Sequence, residues 1–196
     1  MATMSDRATL VRLLAQRSVR RGRFTLASGR ESSHYVDARL TTMSPEGLAV
    51  IGPLALSAIR EHRWSVDAVG GLTLGADPIA YATALASVTS PPLVRAFTVR
   101  KEAKQHGTGR LIEGPMREGD RVVVIEDVIT TGGSALRAAE AVQRAGAVIS
   151  GILALVDREE GGRAVLEGQG FEVICLATLS ELLALPPAGD ATAHAS

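Results

Sequence analysis

The first part of the chain carries apolar residues at helical spacing. Leu10, Val11, Leu13 and Leu14 make one stripe running to about Val19, and Ser5 stands where an N-cap is wanted. A second helix is expected from Ser44, whose hydroxyl can cap while Pro45 takes the first helical position, with Leu48, Ile51, Leu54, Leu56 and Ile59 behind them. Between the two lies a polar, glycine-containing segment to which the pattern assigns no element. From residue 66 the pattern changes. Short continuous Val/Ile/Leu runs at 66–69, 93–99, 122–125, 148–156 and 171–176 predict strands, and amphipathic stretches at 77–87 and 134–145 predict helices.

Strands that are apolar throughout need cover on both faces, which crossover helices give to a parallel sheet. The expected fold is therefore α/β, doubly wound, with a mostly parallel sheet. No repeat or linker divides the chain, so one domain is expected over residues 1–185, with residues 1–43 forming an N-terminal helix and polar extension. The tail 186–196 has too little to bury and is expected to be disordered. In open α/β sheets ligands bind beyond the carboxyl ends of the strands, so the loops after Val69, Val99, Ile125 and Val156 are the places to search.

Composition narrows the field. Lys plus Arg number 21, as do Asp plus Glu, in 196 residues, so no global field draws the chain to nucleic acid or membrane and any anion site must be built locally. No run reaches the ~18 apolar residues of a membrane span, and a cytoplasmic protein is expected. The single cysteine, Cys175, sits in an apolar run and reads as a buried structural thiol. His34, His62, His106 and His194 are scattered, so no protein-built metal site is expected.

Residues 122–134 read VVVIEDVITTGGS: an apolar strand, two acids, then a Thr/Gly turn opening a helix. Thr130 and Thr131 offer hydroxyls, Gly132 and Gly133 let backbone amides approach closely, and the helix from Ser134 presents unpaired N–H groups and a positive dipole end. Together they suit a phosphate dianion. Glu126 and Asp127 place carboxylates where a ribose would present its hydroxyls or where a magnesium ion's waters would be held. The bland alternative is a solvated strand end and a mere turn, but strand, acid pair, hydroxyl pair and glycine pair arrive in register. Neither Gly-x-x-x-x-Gly-Lys-Ser/Thr nor Gly-x-Gly-x-x-Gly after a strand is present, which lowers simple nucleotide triphosphatase and dinucleotide readings.

The stretch 125–135 resembles the motif by which type I phosphoribosyltransferases bind 5-phosphoribosyl 1-pyrophosphate (PRPP). The resemblance implies PRPP contacts from Glu126, Asp127, Val128, Ile129, Thr130, Thr131, Gly132, Gly133 and Ser134. Residues 100–109, RKEAKQHGTG, gather Arg100, Lys101, Lys104 and His106 into a glycine-flanked cationic segment. On its own this is either a solvated charged loop or a flap over a leaving pyrophosphate. The spacing Arg-Lys-x-x-Lys-x-His-Gly resembles the signature loop of the orotate phosphoribosyltransferases in particular. That likeness implies a homodimer in which Arg100, Lys104 and His106 act in the partner's site, with Lys101 serving a different site from the other three.

Residues 24–39, FTLASGRESSHYVDAR, resemble the N-terminal hood of the same enzymes, which covers the base. The Ser28-Gly29 pair can bind a carboxylate, and Tyr35 either packs on a flat ring or is a core aromatic with its hydroxyl at the surface. Arg158, after the strand ending at Val156, offers a fork to the carboxylate or carbonyl of orotate, and the resemblance adds Thr130 to that contact. Two departures stand out. Ala27 replaces a lysine that many relatives carry, and residues 70–78, GGLTLGADP, lack their Tyr-Lys pair, leaving backbone amides to approach the pyrophosphate.

The reaction implied is transfer of the phosphoribosyl group of PRPP to orotate, giving orotidine 5'-monophosphate and pyrophosphate, in pyrimidine (UMP) biosynthesis. Lys104, Asp127, Arg100 and His106 are the candidate catalytic groups, and magnesium is expected to be held mostly by the substrate. Two alternatives remain open: a purine phosphoribosyltransferase, which would not need the cationic flap, and a non-catalytic PRPP-sensing regulator, which should carry a basic nucleic-acid-binding face.

Overall fold

The computed structural model describes residues 4–25, 31–102 and 111–186, apart from the side chains of Met4, Ser5 and Thr25. Helix α1 (Met4–Arg17) leads into a two-stranded antiparallel hairpin, β1 (Val19–Thr25) and β2 (Glu31–Val36). A short α2 (Arg39–Thr42) precedes α3 (Pro45–Glu61). The chain then runs β3 (Ala68–Leu72), α4 (Ala76–Thr89), β4 (Arg95–Val99), β5 (Ile112–Glu113), β6 (Arg121–Ile129), α5 (Gly133–Arg144), β7 (Val148–Asp157), α6 (Gly162–Gly168), β8 (Val173–Thr178) and α7 (Leu179–Ala184).

One six-stranded sheet, ordered β5-β4-β3-β6-β7-β8, organises the molecule; all its pairings are parallel except that of β5 with β4. Alternate residues of its strands enter two cores, as the period-two geometry of a strand requires. Val123, Ile125, Leu153, Leu155, Ile174 and Leu176 pack under α1, α3, α4 and α7. Val122, Val124, Ile152, Ala154 and Val173 face the other way, against α5 and α6. The sheet is thus covered on both faces, and the doubly wound α/β expectation holds.

The start of α3 follows the sequence reading: the Ser44 hydroxyl accepts from the Gly47 amide at 3.1 Å, with Pro45 in the first turn. Elsewhere the structure corrects it. Helix α1 begins at Met4, so Ser5 lies inside it, and it ends at Arg17 because Val19 already pairs with Val36. The segment left without an element is the β1–β2 hairpin, whose polar, arginine-rich strands carry little of the apolar alternation that marks a half-buried sheet. Strand β3 runs to Leu72 through Gly70 and Gly71, which the pattern reads as a loop. Their lack of a side chain is what lets neighbouring strands close in: a Cβ on Gly70 would overlap the Phe97 carbonyl oxygen, and one on Gly71 that of Ile125. Strand β6 continues past Ile125 to Ile129, so both acids lie on the strand rather than after it. Helices α6 and α7 and the two-residue β5 were not expected at all.

Helix α7 joins distant parts of the chain. Thr178 and Glu181 cap its start reciprocally, and the Glu159 carboxylate accepts from the Ser180 amide at 2.7 Å. Arg7 of α1 donates two hydrogen bonds to Glu181, at 2.8 and 2.9 Å, while Arg21 of β1 donates to the carbonyls of Leu183 and Leu185 at the other end. The outlying N-terminal helix and hairpin are held to the body through these contacts.

Candidate active site

Strand order turns at β3: β4 lies on one side of it and β6 on the other. The carboxyl ends of β3 and β6 therefore part above the sheet, leaving a crevice of the kind that receives ligands in open α/β folds. A cleft of about 330 Å³ occupies that position. Glu126, Asp127, Val128, Thr130 and Ser134 line it from β6 and the start of α5, Thr73, Leu74 and Gly75 from the turn after β3, and Tyr35, Asp37 and Arg39 from the N-terminal side. Arg158 enters from the end of β7 and Lys101 from beyond β4.

The β6–α5 turn is built for close approach. Gly132 precedes α5 with φ +81°, a conformation that suits glycine, and no side chain caps the helix, so its first amides are open to a ligand. Gly162 packs against this turn so tightly that a Cβ there would overlap the Thr130 carbonyl oxygen, which accepts from the Gly162 amide at 3.1 Å. Thr131 is exposed on the turn. Ile129 points the other way: its side chain is buried in the core under α5 with Val122 and Val124, while Val128 packs against the opposite core, so the alternation along β6 changes phase between Ile125 and Val128. Any contact it makes with a ligand is through its backbone alone.

The two acids differ. Glu126 is buried, and burial pushes its carboxyl well above the usual carboxylate range, helped by the neighbouring Asp127 and opposed by Arg137. Asp127 is half-buried and accepts from the Val128 amide at 2.9 Å. It is also crowded: a Cβ on Gly75 would collide with its carboxyl group, so the turn after β3 reaches this depth only because residue 75 is glycine.

Arg158 is 7% exposed, its guanidinium held by Glu160 at 2.7 Å while its Nε, also buried, has no partner. A buried donor left unpaired at a cleft wall marks a candidate binding group. Tyr35 is partly exposed on β2, packed against Phe24 with ring centroids 5.7 Å apart. It is not a core aromatic. Asp37 and Arg39 form a two-point pair at 2.8 and 2.9 Å, and that pairing holds the Asp37 carboxyl below its ordinary value.

Arg100 does not line the cleft. Its side chain lies 3.6 Å from Glu113 on β5, and its amide donates to the Leu111 carbonyl at 2.8 Å, tying together the two ends of the basic segment. Lys104 and His106 lie outside the described residues, as do Ala27, Ser28 and Gly29. Four polar residues of the cleft wall are not among the site groups expected from the sequence: Asp37, Arg39, Thr73 and Arg137. Arg137 was findable, since it stands one turn after Ser134 on a helix whose N-terminus borders the cleft. Cys175 is only half-buried, with its thiol pushed up to about 11 by burial and then by the charge of Asp157.

Comparison with known proteins agrees with this geometry. Residues 42–174 match the phosphoribosyl transferase domain. The orotate phosphoribosyltransferase of Aquifex aeolicus is 46% identical over 92% of this chain and 99% of its own, and that of Pyrococcus furiosus 47% identical over 87% and 91%. A crystal structure of the Mycobacterium tuberculosis orotate phosphoribosyltransferase with PRPP superposes with a TM-score of 0.77 at 41% identity, covering 90% of this chain and 98% of that one. An adenine phosphoribosyltransferase from Leishmania donovani, at 18% identity and a TM-score of 0.65, shares the fold alone. A chain that matches in fold, in sequence and over nearly its whole length belongs to the orotate phosphoribosyltransferase family.

Proposed function

We propose that the cleft between β3 and β6 binds PRPP and orotate together and transfers the phosphoribosyl group between them. The observation that carries this assignment of residues is that the end of β6 gathers two carboxylates, the open start of α5 and the buried guanidinium of Arg158 into one cavity. The 5'-phosphate sits on the turn 130–134, where amides and hydroxyls donate and the dipole of α5 favours an anion. Glu126 and Asp127 accept from the ribose hydroxyls above the sheet. Arg158 presents its unpaired Nε edge to orotate, and Thr130 borders both subsites. Tyr35 and the hairpin close over the base, with Ser28 and Gly29 at its carboxylate.

The ring nitrogen of orotate, giving up its proton to solvent or to the departing pyrophosphate, attacks the anomeric carbon while the bond to pyrophosphate breaks and its electron pair leaves with the pyrophosphate. Positive charge builds on the ribose ring and negative charge on the leaving group. The chain's task is positioning, electrostatics and exclusion of water. Lys101 on one side, and Arg100, Lys104 and His106 supplied across a dimer, meet the charge that develops on pyrophosphate. The outward direction of Arg100, toward β5 rather than the cleft of its own chain, supports a role in a partner's site.

Magnesium fits this cleft as a substrate-borne ion. No group of three or more His, Cys, Asp or Glu side chains is assembled among the described residues, while Glu126 and Asp127 would hold the waters of an ion carried by the pyrophosphate. When bound, that ion neutralises charge on the leaving group. A homodimer is supported by the exposed apolar side chains of Tyr81, Leu85 and Val88 at helical spacing on α4, with Leu74 and Leu93 also exposed. We further propose one catalytic domain through residue 185 with residues 1–43 as its hood, working in the cytoplasm; among the described residues no helix is long and apolar enough to cross a membrane.

The test follows the loss of orotate absorbance with purified protein, PRPP and magnesium, beside Asp127→Asn and Lys104→Ala. Turnover that needs every component and falls ~100-fold or more in each variant is expected. Unchanged turnover in both variants would move the chemistry out of this cleft.

A further inference from the structure

We infer that Asp77 is a positioning residue that fixes Thr73 as a pure hydrogen-bond acceptor at the edge of the cleft, so that this edge receives PRPP through donors such as the waters of its magnesium ion. The inference rests on the reading of the cleft as the PRPP site. It concerns the segment 73–75, which has no lysine to offer a diphosphate.

Asp77 stands in the first turn of α4, and both of its carboxylate oxygens are engaged. Thr73 Oγ1 donates to Oδ2 at 2.7 Å and Thr98 Oγ1 donates to Oδ1 at 2.8 Å. A threonine hydroxyl has one proton. Thr98 has given its proton to Asp77, so the Tyr81 hydroxyl, 2.8 Å from Thr98 Oγ1, must be the donor in that pair. The chain of protons therefore runs one way, from the exposed face of α4 inward to Asp77.

Thr73 is bound by the same arithmetic. Its proton is spent on Asp77, its amide donates to the Val99 carbonyl at 2.9 Å, and it lines the cleft. What remains on its hydroxyl is lone pairs, so whatever meets that oxygen from the cleft has to donate. A bare phosphate oxygen cannot, whereas a metal-bound water or a sugar hydroxyl can. The amides at the uncapped start of α4 are left to take the anionic oxygens themselves.

Asp77→Asn keeps the shape but replaces one acceptor oxygen with an NH2, so one of the two threonines must turn its proton away. Thr73→Val removes the oxygen and leaves Asp77 in place. PRPP binding to the full chain is measured by titration calorimetry across a magnesium series, with orotate KM and unfolding temperature recorded for each variant. Both variants are expected to weaken PRPP binding about 10-fold at saturating magnesium and to need more magnesium for half-maximal binding. Orotate KM and unfolding temperature should stay near those of the unsubstituted chain, which a merely structural role would not predict. Unaltered PRPP affinity and magnesium dependence in both variants overturns the inference, as does a parallel loss of both substrates with a fall in unfolding temperature. If Asp127→Asn binds PRPP as well as the unsubstituted chain, the reading of the cleft is at fault, and this inference falls with it.

Discussion

Replacing Glu126 with glutamine should stabilise the fold by an amount that grows with pH. Glu126 is buried at the end of β6, and desolvation raises its carboxyl well above the ordinary value of 4.5. An acid whose pKa is raised by folding binds its proton more tightly in the native state than in the unfolded chain. The native state is therefore favoured most below the unfolded value, and stability is lost as pH rises from there toward the raised value. Within that window the loss is about 1.4 kcal/mol per pH unit, and above it the loss is constant. Glutamine does not titrate, so Glu126→Gln escapes the loss entirely. For a chain of this size 1 kcal/mol moves the unfolding temperature by roughly 2–4 °C. The difference in Tm between variant and parent should be small near pH 4.5 and widen by roughly 3–6 °C per unit until the raised pKa is passed. Fluorescence of Trp64, the only tryptophan, suits the measurement. It packs on Gly151 near the amino ends of the strands, away from the cleft, and so reports global unfolding. A Tm difference that does not change with pH would refute the reasoning. The same substitution should weaken PRPP binding, since glutamine cannot take on the charge that ribose hydroxyls and a magnesium-bearing ligand draw out of Glu126.

Three further outcomes are expected. Gly75→Ala puts a Cβ against the Asp127 carboxyl group, the movable end of a side chain, so KM for PRPP should rise several-fold while the unfolding temperature changes little, as steady-state kinetics and a thermal melt would show. Arg158→Lys loses the planar fork and should raise KM for orotate by about 10-fold with KM for PRPP nearly unchanged; equal effects on both substrates would place Arg158 elsewhere. With a thiol at about 11, Cys175 should react slowly with iodoacetamide at pH 8 and accelerate toward pH 11, followed by mass spectrometry of the intact chain.

The sheet was legible in the sequence because its strands are buried on both faces and so read as unbroken apolar runs; the turn between β6 and α5 was legible because its acids, hydroxyls and glycines are consecutive. What escaped had no such local signature. Gly70 and Gly71 look like a loop, and only the neighbouring backbones explain why a strand passes through them. The hairpin of β1 and β2 is stabilised by pairing with itself and by contacts with α7, neither of which leaves an apolar rhythm. Asp37, Thr73 and Arg137 reach the cleft from three separate elements, so their convergence is a property of the topology. Ile129 shows the reverse case: a family motif includes it by position, while a change of phase along β6 buries its side chain under α5.

The contacts of α7 also bear on the order in which the molecule can be assembled. Arg7 and Glu181 are 174 positions apart, and Arg21 reaches the carbonyls of Leu183 and Leu185 across a comparable span. A chain made from its N-terminus acquires the first helix and hairpin well before the α7 residues to which they attach. Contacts of such long separation form late and slowly. The N-terminal helix and hairpin are thus made before the sheet but seated on it only once α7 has formed.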